Sequence, residues 1–188
     1  MAEARHKWRQ MQRELDPKRL VFIDESGFTT KMARLFGRSP RGERLITSMP
    51  HGHWKTLTFI AGLRHDRIVA PMVLDGPMDG AAFLAYTEKF LIPALSPGEI
   101  VVADNLSSHK VEGARELIEA AGAQFWPLPP YSPDLNPIEQ AFAKFKALAR
   151  KAAERTLDGL CRAIGHAIGQ FTPEECANFL INSGYAPV

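Results

Sequence analysis

The chain has 188 residues, 45% of them apolar and 23% charged, with a formal net charge of +2. That length supports one domain with a true core, and the charge is too small to demand a polyanionic partner by itself. No apolar run reaches membrane-spanning length and no signal-peptide pattern is present, so cytoplasmic residence is the expectation. The two cysteines, Cys161 and Cys176, match no metal-ligand spacing and fit a reducing compartment.

Residues 1–18 read as a basic helical linker. Arg5, Lys7, Arg9, Arg13 and Lys18 dominate it, and Trp8, Met11 and Leu15 give only a thin apolar side. It is expected to trail from something upstream rather than to serve as a core element. Asp16-Pro17 stops it. Leu20–Asp24 is an apolar run ending in an acid, the pattern of a strand buried on both faces, and Glu25-Ser26-Gly27 is expected to break it. Residues 29–53 form an irregular basic stretch with Lys31, Arg34, Arg38, Arg41 and Arg44, and with one short strand expected at Arg44–Thr47. His51 and His53 have no acid or cysteine at ligand spacing, so zinc binding is not supported there. Trp54 reads as strand-edge packing.

Thr56–Leu63 and Ile68–Leu74 predict a hairpin around residues 64–67. Gly80–Leu95 shows helical spacing. Glu99–Asn105 repeats the first theme, an apolar strand with an acid, Asp104, at its C-terminal end. Ser107 or Ser108 can cap a helix running from about His109 to Ala121, and Gly122 closes it. A short strand over Gln124–Leu128 follows. A long helix after Pro137 carries Lys144, Lys146, Arg150 and Lys151 on its polar side, and two further helices begin near Thr156 and Thr172. Strand, hairpin, helix, strand, helix, strand, helix is the order of an α/β protein with a mixed five-stranded sheet, flanking helices and extra C-terminal helices. It is the order of the ribonuclease H-like fold.

Leu128–Gln140 holds four prolines in thirteen residues and then opens the long helix. Proline fixes φ and removes a donor, so this is a stiff ramp. Asn136 suits the N-cap and Pro137 the first helical position, which places Glu139 in the first turn. One reading of Glu139 is a reciprocal capping partner of Asn136. The other is a catalytic carboxylate delivered to the same sheet end as Asp24 and Asp104. Three converging acids repel one another unless hard divalent cations relieve them.

Phe22-Ile23-Asp24-Glu25-Ser26, Asp104-Asn105-x-x-x-His109 and Pro129–Glu139 together resemble the three signature blocks of DDE transposases of the Tc/mariner superfamily. The likeness is nearest to the bacterial insertion-sequence branch. The gap of 34 residues between Asp104 and Glu139 is the family's characteristic one. The resemblance covers residue 19 to the C-terminus, and it implies a catalytic domain over residues 19–188. It implies that Asp24, Asp104 and Glu139 hold two Mg²⁺ or Mn²⁺ ions for DNA strand cleavage and transfer of a 3′-hydroxyl to target DNA. It further implies transposon-end and target DNA as partners, a homodimer in the active complex and association with the nucleoid. Asn105 and His109 match the second block and are expected to support the acids or touch DNA. Lys144, Lys146, Arg38 and Arg41 are expected to contact phosphates.

Family members carry helix-turn-helix modules ahead of this domain, whereas about eighteen residues precede the first strand here. End recognition is therefore expected from an upstream or separate region. A nuclease of the same fold without strand transfer, and a non-catalytic DNA-binding or assembly partner, remain alternatives.

Overall fold

The computed structural model describes residues 2–34, 36–48, 50–105 and 113–186. Five strands form one mixed sheet in the order β3-β2-β1-β4-β5. They are β1 (Leu20–Thr29), β2 (Thr56–Leu63), β3 (Ile68–Leu74), β4 (Ile100–Ala103) and β5 (Gln124–Pro127). β1–β2 and β2–β3 are antiparallel, whereas β1–β4 and β4–β5 are parallel. The hairpin and the buried parallel strands are as expected. This is the arrangement of the ribonuclease H-like fold.

Alternation along β1 divides the core into two layers. Leu20, Phe22 and Phe28 face one layer, and Val21 and Ile23 face the other. The second layer is covered by α2 (Gly80–Tyr86) and α3 (Ala114–Ala120), through Phe83, Tyr86, Ala114 and Ile118. Asp79 caps α2, accepting from the Ala82 amide at 2.8 Å. The helix expected over Gly80–Leu95 changes character after Tyr86, passing through a π turn (Thr87–Leu91) and a 3₁₀ turn (Ile92–Ala94). Pro93 explains the tightening, because it cannot donate the bond that would continue an α-helix.

The first layer is covered by α4 (Ile138–Ala152), α5 (Leu157–Ile168) and α6 (Pro173–Asn182). Phe59 of β2 meets Phe145 and Phe142 edge-on, at centroid distances of 4.9 and 6.0 Å. These contacts fix α4 against the sheet and thereby fix its first turn. α1 (Ala2–Met11) belongs to the same layer. Trp8 is buried and donates from Nε1 to the Tyr185 hydroxyl at 3.1 Å, and Gln12 donates to the Gly184 carbonyl at 3.0 Å. The expectation that this helix lies outside the core is thus corrected. One buried indole outweighs a basic surface when the decision is whether a helix docks.

Two other expectations change. β1 is not broken at Glu25-Ser26-Gly27 but runs on to Thr29, because residues 22–29 stay paired with β2. Residues 44–47 form no strand: Leu45 and Ile46 are exposed, with no neighbouring sheet to bury them. Trp54 is exposed as well, with the Lys31 ammonium 4.2 Å from its ring centroid. Among the described residues no helix is long and apolar enough to cross a membrane.

Candidate active site

Asp24 lies in the middle of β1, on the face that Phe22 and Phe28 share. Its position relative to β4 is what matters. The parallel register pairs Ile23 with Ala103, the last residue of β4. The next residues in each chain are Asp24 and Asp104. Two adjacent parallel strands therefore deliver two carboxylates side by side where β4 ends. Asp104 follows Val102 at the period of two, so it continues the face toward α4. The C-terminal ends of parallel strands are where α/β sites form.

Glu139 comes from the helix packed over that same face, in the first turn of α4. Asp24, Asp104, Asn105, Pro130, Asn136 and Glu139 line one cavity of about 310 Å³. Asp24 is buried, Asp104 and Asn105 are half-buried, and Glu139 is exposed at the cavity's rim. Burial pushes the Asp24 carboxyl up to about 8, helped by the charges of Asp104, Glu25 and Glu139. Both of its oxygens are held. Oδ1 accepts from the Glu25 amide at 2.8 Å, and Oδ2 accepts from Asn136 Nδ2 at 2.9 Å.

That second bond corrects the expected role of Asn136. It does not cap α4: the N-cap is Pro137, with no side-chain hydrogen bond. With the Asn136 side chain turned to Asp24, the reciprocal capping pair with Glu139 does not form. Glu139 lines the cavity instead.

The ramp that leads to Glu139 is itself tied down. Tyr131 has φ +54°, a left-handed turn uncommon outside glycine, and a 3₁₀ turn over Pro133–Leu135 follows. Arg5 of α1 donates to both Asp134 oxygens, at 2.9 and 2.8 Å, and also to Ser132 Oγ at 2.8 Å. Arg9 adds a bond of 3.0 Å to Asp134. Tyr185 donates its hydroxyl to the Leu135 carbonyl at 2.9 Å. Asp134 thus anchors α1 to the ramp.

The supporting residues divide. Asn105 lines the cavity. Lys144 is committed elsewhere: it pairs with Glu175, donates to the Gln170 carbonyl at 2.6 Å and sits 4.4 Å from the Phe171 ring centroid. Lys144 thus ties α4 to α6, with two of its three N–H donors used inside the fold. Lys146 is half-buried, and Arg38 and Arg41 are exposed in the irregular segment after β1. His109, Ser107 and Ser108 lie outside the described residues.

Among the described residues, no three His, Cys, Asp or Glu side chains already converge as a closed cage for one ion. The acids stand around a shared cavity instead. Oxygen-only donors, crowded like charges and room for water suit hard divalent cations. Asn136 Oδ1 is buried there and accepts from no donor among the described residues. It offers a further acceptor to a water of hydration.

The same fold occurs in solved proteins. The chain is similar to the Mos1 transposase in its paired-end complex with the left transposon end, with TM-score 0.78 and 16% identity over 97% of this chain and 57% of that one. It is also similar to the chain of the Mos1 strand transfer complex, with TM-score 0.77, 16% identity, and coverage of 97% and 56%. Against the catalytic domain of Mos1 mariner transposase alone, the TM-score is 0.68 at 14% identity, with coverage of 97% and 85%. The chain thus spans little more than half the length of the Mos1 chains in the DNA complexes and most of the isolated catalytic domain. At such identity the likeness establishes the fold. No curated protein matches by sequence. Residues 19–161 match the family described as DDE superfamily endonuclease, a stretch that holds Asp24, Asp104 and Glu139, and the chain belongs to that family.

Proposed function

We propose that this chain is the catalytic domain of a DDE transposase of the insertion-sequence branch of the Tc/mariner superfamily. In this reading it cleaves DNA strands at transposon ends and joins the freed 3′-hydroxyl to target DNA. The observation that carries the proposal is the placement of Asp24 and Asp104 one step past the last parallel pair of β1 and β4, with Glu139 facing them across one cavity. Asp24 and Asp104 would hold one divalent ion and Asp24 and Glu139 the other. Structures of Mos1 with Mn and with Mg exist. Ions so bound supply Lewis-acid stabilisation to both the attacking and the leaving oxygen of a phosphoryl transfer.

The chain's own residues do the positioning. The sheet fixes the first two acids, and the ramp and α4 bring the third. Arg38, Arg41 and Lys146 would meet phosphates without reading bases. Asn105 and His109 would support the acids or touch DNA. Recognition of the ends would fall to a helix-turn-helix region upstream or on a separate chain, with residues 1–18 as the connection. The active complex would be a homodimer, working at the nucleoid.

The test is a nicking assay with Mn²⁺ and supercoiled DNA, followed by a strand-transfer assay with a pre-cleaved 3′-hydroxyl end. Asp24→Ala, Asp104→Ala and Glu139→Ala should each abolish both reactions while circular dichroism stays unchanged. A variant that cuts at the normal rate removes its acid from the site. Cleavage without joining would favour a nuclease, and DNA binding without any Mn²⁺ response would favour a non-catalytic partner.

A further inference from the structure

We propose that Asn136 is a positioning residue for Asp24, and that its side chain sets how tightly the site holds divalent ions. The inference rests on the metal-dependent reading above. Asn136 is only 2% exposed, yet it lies on the ramp rather than on the sheet. Its Nδ2 reaches across 112 positions of sequence to donate to Asp24 Oδ2 at 2.9 Å. With an ion bound, Asp24 is ionised and only accepts, so the amide nitrogen is the atom that faces it, which fixes the orientation of the amide. The Glu25 amide holds Oδ1 at 2.8 Å. With one donor on each oxygen, the carboxylate cannot rotate about its terminal bond, and each oxygen keeps a second lone pair for an ion.

The fixed amide orientation leaves Oδ1 of Asn136 pointing away from Asp24. This oxygen is buried and unpartnered among the described residues, in a side chain that lines the cavity. A buried acceptor without a donor is unfavourable, and a water on the bound ion is the donor that fits this place. Asn136 would thus work on both sides: Nδ2 aims the ligand, and Oδ1 takes a proton of the ion's hydration shell. The neighbouring geometry serves the same end. Asn136 N–H bonds to the Pro133 carbonyl at 3.1 Å, and Leu135 is pinned by Tyr185, so the side chain springs from a fixed backbone.

The test uses the full chain, with Asn136→Leu to preserve volume and Asn136→Ala to remove it. The first readout is thermal melting against MnCl₂ concentration, and the second is nicking rate against the same concentration. Outer-sphere partners of metal ligands typically set affinity by about 10–100-fold. We expect both variants to melt near the wild type without metal and to need at least about tenfold more Mn²⁺ for half-maximal stabilisation. The nicking plateau should be largely recovered at high Mn²⁺ in Asn136→Leu and not at all in Asp24→Ala. A purely structural role would lower the plateau and leave the half-saturation point in place, and that result overturns the proposal. Should Asn136→Ala fail to fold, Asn136→Leu alone decides it. A wild type whose melting does not respond to Mn²⁺ overturns the metal-dependent reading and this inference together. A responding wild type with unshifted variants overturns this inference only.

Discussion

At the scale of single residues, the site is held in an unfavourable state that a cation would relieve. Asp24 is buried beside other acids, and its carboxyl is raised from 3.8 to about 8. The unfolded chain has no such environment, so between those two values the folded form binds the extra proton. Stability without metal should therefore fall as pH rises from about 4 to about 8, because a group held protonated only in the native state loses its advantage as the proton leaves. Asp24→Asn removes the charge and keeps an acceptor for Asn136. Its melting point in chelator-treated buffer at pH 8 should exceed the wild type's by several degrees, since each kcal/mol corresponds to ~2–4 °C at this chain length. Melting curves with and without Mn²⁺ check this. A variant no more stable than wild type without metal would show that Asp24 is not under this load. The crowding of Asp24 with Asp104 and Glu139 was legible in the sequence, whereas the bond from Asn136 that holds its carboxylate was not. The partner lies more than a hundred positions away, and the capping preference of asparagine gave Asn136 a local explanation that its tertiary contact displaced.

At the scale of elements, the proline ramp and α1 form one assembly. The ramp's stiffness was legible, because proline restricts φ wherever it stands. Its anchoring was not, since Arg5 and Arg9 look like members of an ordinary solvated basic run. The two guanidiniums hold the Asp134 carboxyl down at about 2, well below its ordinary 3.8. A depressed carboxylate contributes stability that is fully present above its unfolded value and is lost as pH falls through the folded one. The α1 contact should thus persist at neutral pH and release in strong acid. Asp134→Ala should loosen α1 at pH 7, speeding amide exchange over residues 2–11 and exposing Trp8, while β1, β2 and β4 keep their protection. Exchange mass spectrometry and tryptophan emission measure the two effects. Unchanged protection in α1 would mean that Trp8 and Gln12 suffice to dock it.

At the scale of the whole molecule, the net charge of +2 does not draw in a polyanion, so the proposed DNA binding would have to come from local clusters. With Lys144 turned to Glu175, the exposed arginines after β1 remain the clearest candidates. Arg38→Ala combined with Arg41→Ala should weaken binding to unrelated duplexes alike and reduce the slope of log affinity against log salt by roughly two, about 0.9 for each phosphate no longer neutralised. Filter binding over a salt series reads this, and an unchanged slope would place the DNA elsewhere. The order of elements along the chain and the mixed five-stranded sheet were legible because they rest on periodicity and turn signals, which are local properties. The docking of α1 and the continuation of β1 through Gly27 were not, because both depend on what lies opposite. The β1–β4 register carries one more consequence. Deleting a single residue between Leu20 and Ile23 would keep every acid in the chain yet turn Asp24 to the wrong side of the sheet. Deleting two would restore the side but shift the carboxylate by about 7 Å along the strand. The activity of this domain therefore depends on a phase as much as on a composition, and insertions or deletions in its first strand should be null where many substitutions there are tolerated.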